Sequence, residues 1–71
     1  MSDLDAVIVG GQTWRVGDWF RLVNTYRGDG STFTGEIRLI LSNGRDITCF
    51  FWRGDGEGSF SARALTEAVR L

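Results

Sequence analysis

Histidine, lysine and proline are absent from this chain, and cysteine and methionine occur once each. Without histidine the chain lacks the side chain that titrates near neutral pH and most often serves as general base or metal ligand. A lone Cys49 closes no internal disulfide and holds no soft metal by itself. Asp3 and Asp5 stand where an export signal would carry positive charge. No run of about 18 apolar residues offers a spanning helix. These absences lead us to expect a cytoplasmic protein that is not an enzyme and needs no cofactor and no metal.

What is present is small and aromatic. The 71 residues are 42% hydrophobic and 13% aromatic, enough for one modest core. Net charge is −1 and the sequence pI is about 5.1, so no global field draws in nucleic acid or an anionic membrane. All eight basic residues are arginine. Between residues 12 and 53 they outnumber the acids, with Arg15, Arg21, Arg27, Arg38, Arg45 and Arg53 against Asp18, Asp29, Glu36 and Asp46. Arginine in place of lysine suits planar, stacked contacts at an interface, and it equally suits a GC-rich coding bias.

The glycines punctuate a run of strands. Ala6–Val9 and Gln12–Val16 flank Gly10-Gly11, which reads as a tight hairpin. Gly17-Asp18 marks the next turn, and residues 19–27 alternate, with Phe20 and Leu22 on one face and Trp19 and Arg21 on the other. Residues 28–32 read as loop. The next strand, 33–41, places Phe33, Gly35, Ile37, Leu39 and Leu41 on one face. Asn43-Gly44 predicts a two-residue type I′ turn, which sets Ile40 opposite Ile47 and Ile37 opposite Phe50 on a returning strand 45–52. Apolar groups on both faces of that hairpin suit a curved sheet or small barrel. A glycine-rich loop follows at 53–58. The tail has Ala62, Leu65 and Val69 at helical spacing, and either a helical turn or a final strand fits it. The fold expected is all-β, a small five-stranded SH3-like barrel over residues 6–71 with a short C-terminal helical turn, preceded by a disordered N-terminus at 1–5.

One stretch is more particular. Gly17-Asp18, then Asp29-Gly30-Ser31-Thr32-Phe33-Thr34-Gly35-Glu36-Ile37, resembles the first hairpin of Tudor-type modules, and Ile47–Trp52, the glycine loop and Leu65 resemble the rest, over roughly residues 14–66. The resemblance implies an aromatic cage for a methylated cation. Its walls would be Tyr26 and Phe33, with Phe50, Phe51 or Trp52 completing them. The match departs at Arg53-Gly54-Asp55-Gly56, where an arginine would repel such a cation.

An internal echo gives a second candidate site. Tyr26-Arg27-Gly28-Asp29-Gly30 recurs as Trp52-Arg53-Gly54-Asp55-Gly56. With one antiparallel strand between them, the two parent strands run the same way, so both loops leave from one end. Aromatic anchors with arginine are common interface hot spots, and the same residues are also ordinary turn chemistry. The candidate binding residues are therefore Trp19, Tyr26, Arg27, Asp29, Phe33, Trp52, Arg53 and Asp55. Asp29, Asp55 and Glu57 lack the spacing of a calcium loop, and Cys49, mid-strand, reads as core. Three tryptophans, Trp14, Trp19 and Trp52, exceed what so small a core buries easily, so at least one should form a surface patch. The sequence thus predicts a protein- or peptide-binding module whose surface is built from exposed Trp14, Trp19, Tyr26 and Trp52 and the arginine-bearing loops, with self-association into a homodimer as one use of that patch. Its size and arginine bias suit a phage or bacterial accessory protein acting on a host factor. The alternative is a nucleic-acid-binding barrel of the KOW or cold-shock kind, with Arg15, Arg21, Arg38 and Arg53 on phosphates and aromatics stacked on bases.

Overall fold

The computed structural model describes residues 2–71. The chain is mostly strand: β1 (Ser2–Leu4), β2 (Ala6–Val9), β3 (Gln12–Arg15), β4 (Trp19–Val23), β5 (Thr32–Ser42), β6 (Ile47–Trp52), β7 (Glu57–Ser61) and β8 (Val69–Arg70), with a 3-10 helix at Ala62–Glu67 between the last two. Strands β4 to β7 form an antiparallel meander in the order β7-β6-β5-β4-β8, while β1 pairs with the distal end of β5. Strands β2 and β3 make a separate two-stranded sheet. The expected all-β class with one C-terminal helical turn is present. The expected five strands are eight, however, and among the described residues neither sheet closes into a barrel. Ser2–Leu4 pairs with Ile40–Ser42 where a disordered end was expected.

Local chemistry explains most of the boundaries. Gly10 and Gly11 take φ of 60° and 79°, the left-handed pair that lets Val9 turn directly onto Gln12. In β4, Phe20 and Leu22 point into the core and Trp19, Arg21 and Val23 point out, as the alternation demands. That strand stops at Val23 rather than running to residue 27. Asn24 takes over the backbone, with its side chain accepting the Tyr26 N–H at 3.1 Å and its carbonyl accepting the Arg27 N–H at 3.3 Å.

The hairpin after β5 differs from the expected one. Ser42 pairs with Ile47, so the connection is four residues long, not two. Asn43 keeps a negative φ, which excludes the type I′ turn, and its side chain accepts the N–H of both Arg45 (2.9 Å) and Asp46 (2.7 Å). Further along, Ile37 pairs with Phe51 and Leu39 with Phe50, leaving Arg38 as the extra residue of a β-bulge. The bulge switches the phase of the strand. Ile37 and Ile40 are both fully buried, while Leu39, expected on the face of Ile37, is turned outward.

The core fills the concave side of the meander with Phe20, Ile37, Ile40, Cys49, Phe51 and Leu65, joined by Trp14 from the β2–β3 sheet. The expectation that Trp14 is exposed is corrected, since its indole is sealed. Trp14 packs into the core cluster, and Arg70 in the last strand lies over it. Its guanidinium lies over the Trp14 ring at 4.4 Å, pairs with the Asp18 carboxylate at 2.6 Å and donates to the Thr13 carbonyl. Asp18 also accepts the Arg15 N–H at 2.8 Å. One cationic side chain thereby ties the small sheet to both the Gly17-Asp18 turn and the chain end. Among the described residues no helix is long and apolar enough to cross a membrane.

Candidate functional site

The open side of the meander is the place to look for a site. Strand β7 bonds to β6 and, among the described residues, to no strand on its other edge. At the opposite end of the sheet, β8 covers only Phe20 and Arg21 of β4, so Leu22 and Val23 lie beyond its reach. Between these two edges runs an open groove of about 690 Å³. One wall is the end of β4 and the loop carrying Tyr26. The other is β7 and the 3-10 helix.

Its floor is the aromatic part of the core. Phe33, Phe51 and Phe60 line the groove, with Phe20 beneath them. Phe51 sits 5.5 Å from Phe20, 5.4 Å from Phe33 and 5.4 Å from Phe60, centroid to centroid. Two glycines give the ring its seat. A Cβ on Gly58 would come within 2.7 Å of the Phe51 ring and one on Gly35 within 3.0 Å, and neither glycine has a left-handed φ. Their role is space alone.

The rim carries the polar groups. The Tyr26 side chain is entirely solvent-exposed. Arg53 approaches Asp55 of its own loop at 3.5 Å, an exposed pair of little energetic weight. Arg63 and Glu67 stand on the 3-10 helix side.

The expected site residues therefore divide into three sets. Tyr26, Phe33 and Arg53 come together on the groove. Because β4 and β6 are both antiparallel to β5, the two echoing loops do leave from the same end. Arg27, Asp29 and Asp55 belong to those loops but do not line the groove. Asp29 serves its own turn: the Ser31 hydroxyl and N–H facing its carboxylate hold it below the ordinary value, with the N–H at 2.9 Å.

Trp19 and Trp52 lie on the other face of the sheet. Both sit directly across from Glu36, one on each side, forming a row across β4, β5 and β6. Arg38 pairs with Glu36 at 3.3 Å and covers the Trp52 ring at 5.1 Å. Trp19 is 41% exposed, and Leu39 and Phe50 share this face at 37% each. The expected surface indole is present. Of the walls implied by the Tudor resemblance, Tyr26, Phe33 and Phe51 line one groove, whereas Phe50 and Trp52 alternate to the opposite face.

Sequence reasoning missed the far wall. Phe60 and Arg63 carry no motif, and the loop expected over 53–58 ends early, because Glu57 and Gly58 pair with Trp52 and Phe51 as the start of β7. Burial pushes the Cys49 thiol up to about 11, and the residue is sealed in the core away from the groove. Among the described residues no group of three or more Cys, Asp or Glu is placed to hold a metal ion. No protein-family model, no curated protein and no solved structure matches this chain.

Proposed function

We propose that this protein is a non-enzymatic binding module, a small SH3-like and Tudor-like barrel left open along one seam, and that it grips a peptide segment of another protein in that seam. Support for the fold reading comes from the strand order. A four-strand meander whose chain end returns through a 3-10 helix to its first strand curls the sheet toward closure. The Arg38 bulge adds to the curl.

One observation carries the functional reading: the groove has a preformed aromatic floor and a wholly exposed tyrosine at its lip. Small-molecule and peptide sites are concave and mostly apolar, with few polar groups at the margin. Tyrosine and arginine are the residues most often found to anchor partners. A nucleic-acid partner is less well served, since the net charge is −1 and Arg38 is engaged with Glu36.

The test is selection of a displayed random-peptide library on the intact protein, followed by titration of the synthesised winners. Micromolar binders that lose at least about tenfold in affinity on Tyr26→Ala, with thermal stability unchanged, support the reading. Binding of single-stranded DNA or RNA that falls steeply with salt, in place of any peptide, overturns it.

A further inference from the structure

The groove coincides with the gap where the sheet fails to close, and this suggests how a segment would be held. Strand β7 offers five residues, Glu57-Gly58-Ser59-Phe60-Ser61, bonded to β6 throughout their length on one side only. Its other edge presents the alternate N–H and C=O groups to the groove. Natural sheets usually protect such an edge with lysine, proline or a bulge. Strand β7 has no proline and no lysine, its register with β6 is unbroken from Glu57 to Ser61, and its one charged residue is Glu57 at its first position.

We infer that the partner binds by strand addition: an extended segment pairs antiparallel with the free edge of β7 and takes up the seam between β7 and β4. This rests on the peptide-binding reading above and specifies its mode. The geometry also fixes the chemistry of the segment. In an extended chain alternate side chains point to opposite faces. Every second residue of the added strand therefore faces the Phe33, Phe51 and Phe60 floor and must be apolar, valine- to phenylalanine-sized. The residues between face solvent and are polar.

Charge selects further. Arg63 has no ion-pair partner among the described residues, and Arg53 has only the exposed Asp55, against a single acid, Glu67, on the lining. An acidic residue at one end of the segment answers that excess. Main-chain bonds would supply affinity and the floor specificity, the division of labour general to strand addition. The occupant is thus a partner's apolar-alternating, acidic-ended strand. Neither a helix nor a polyproline segment fits, because neither can satisfy a strand edge.

Backbone methylation tests this directly on the wild-type protein. The probes are peptides of about nine residues, long enough to span β7, taken from the display selection. Each is synthesised in two forms, with either the odd or the even amides N-methylated. In strand addition only one set of amides faces β7. One phase should lose at least about tenfold in affinity and the other stay within about threefold. The amides on the free edge of β7 should also gain protection from hydrogen exchange on binding. Equal losses in both phases, or no new protection in β7, overturn strand addition while leaving the binding module intact. Failure of the selection to yield any peptide overturns both. A free protein that sediments as a dimer with β7 already protected would place a second copy on this edge, which also overturns the assignment to a partner.

Discussion

Placing a single methyl group at Gly58 tests the architecture of the groove floor. In the native protein an added Cβ would meet Cζ of Phe51 at 2.7 Å and Cε1 at 3.1 Å. To reach ordinary contact near 3.4 Å the ring must recede by about 0.7 Å. Three other rings hem it in. Phe20 stands edge-on to it, and Phe33 and Phe60 lie tilted against it, with centroids at 5.4–5.5 Å. The backbone itself raises no objection to Gly58→Ala, because Gly58 is not in the left-handed region. On backbone grounds alone the change should stabilise by about 0.4–1 kcal/mol through the unfolded chain. Overpacking of a filled core costs about 1–3 kcal/mol, and each aromatic pair disturbed forfeits up to about 1 kcal/mol more. The steric terms win, and the net expectation is a loss of about 2 kcal/mol.

A domain of this size has roughly 4–10 kcal/mol in all, so the loss is plain in a melt, as a fall of roughly 8–16 °C. Urea denaturation followed by tryptophan fluorescence gives the same quantity with its slope as a check on compactness. The cause is isolated by a double-mutant cycle with Phe51→Leu, which removes the atoms that clash. In that background Gly58→Ala should cost less than about 0.5 kcal/mol, a coupling of at least about 1.5 kcal/mol. Ser59→Ala, exposed and one residue away, is the control and should change little. If Gly58→Ala is neutral or stabilising, or if the two changes simply add, the seat of Phe51 is not what the geometry says and the groove floor is not rigid.

Other expectations follow from the same packing. Ile40→Ala should cost about 2–5 kcal/mol while Leu39→Ala, one residue before it and turned outward by the bulge, costs less than about 1 kcal/mol, both read by urea unfolding. Arg70→Ala should destabilise by about 1–2 kcal/mol through loss of the Asp18 pair and the cover over Trp14, and Arg70→Lys should recover only part, because a compact ammonium cannot lie flat on the indole. With its thiol raised from an ordinary value of 9.0 to about 11, Cys49 keeps its proton in the folded state where the unfolded chain has lost it. Its contribution to stability is therefore full below pH 9.0 and is lost as pH rises toward about 11, visible as a fall in melting temperature that Cys49→Ala flattens over the same window. Alkylation of the native protein at pH 8 should accordingly proceed only through opening of the core.

What could be read from the sequence was what short-range chemistry decides. The Gly10-Gly11 hairpin is legible because only glycine enters the left-handed region freely, and Phe20 and Leu22 are legible because β4 alternates without interruption. The bulge at Arg38 is not, since Ile37-Arg38-Leu39-Ile40-Leu41 supplies an apolar residue in either phase. Only the requirement that Ile37 and Ile40 both be buried reveals which phase applies. Asn43-Gly44 misleads for a related reason. Its side-chain bonds to Arg45 and Asp46 support a longer loop equally well. The guanidinium over Trp14 comes from Arg70 at the far end of the chain, a contact no local pattern encodes. The site divides in the same way: the two echoing loops could be placed at one end by counting strand directions. The wall facing them depends on where β8 stops along β4, which is a matter of tertiary pairing.

The partition of the groove into floor and rim has a consequence for how it can be tuned. Phe51 is held between the backbones of β5 and β7 by Gly35 and Gly58, so the floor is set before any partner arrives. The rim is built of long side chains, Tyr26, Arg53 and Arg63, that are free to move until they are used. Ordering each on binding costs about 0.5–1.5 kcal/mol. Substitutions in the floor should therefore change stability and affinity together, as with Phe51→Leu, whereas substitutions in the rim should change affinity alone. Tyr26→Ala beside Phe51→Leu, each measured for melting temperature and for peptide binding, separates the two behaviours. A rim substitution that lowers both quantities equally would mean that the exposed tyrosine is structural and that the groove lacks an independent lip for a partner to engage.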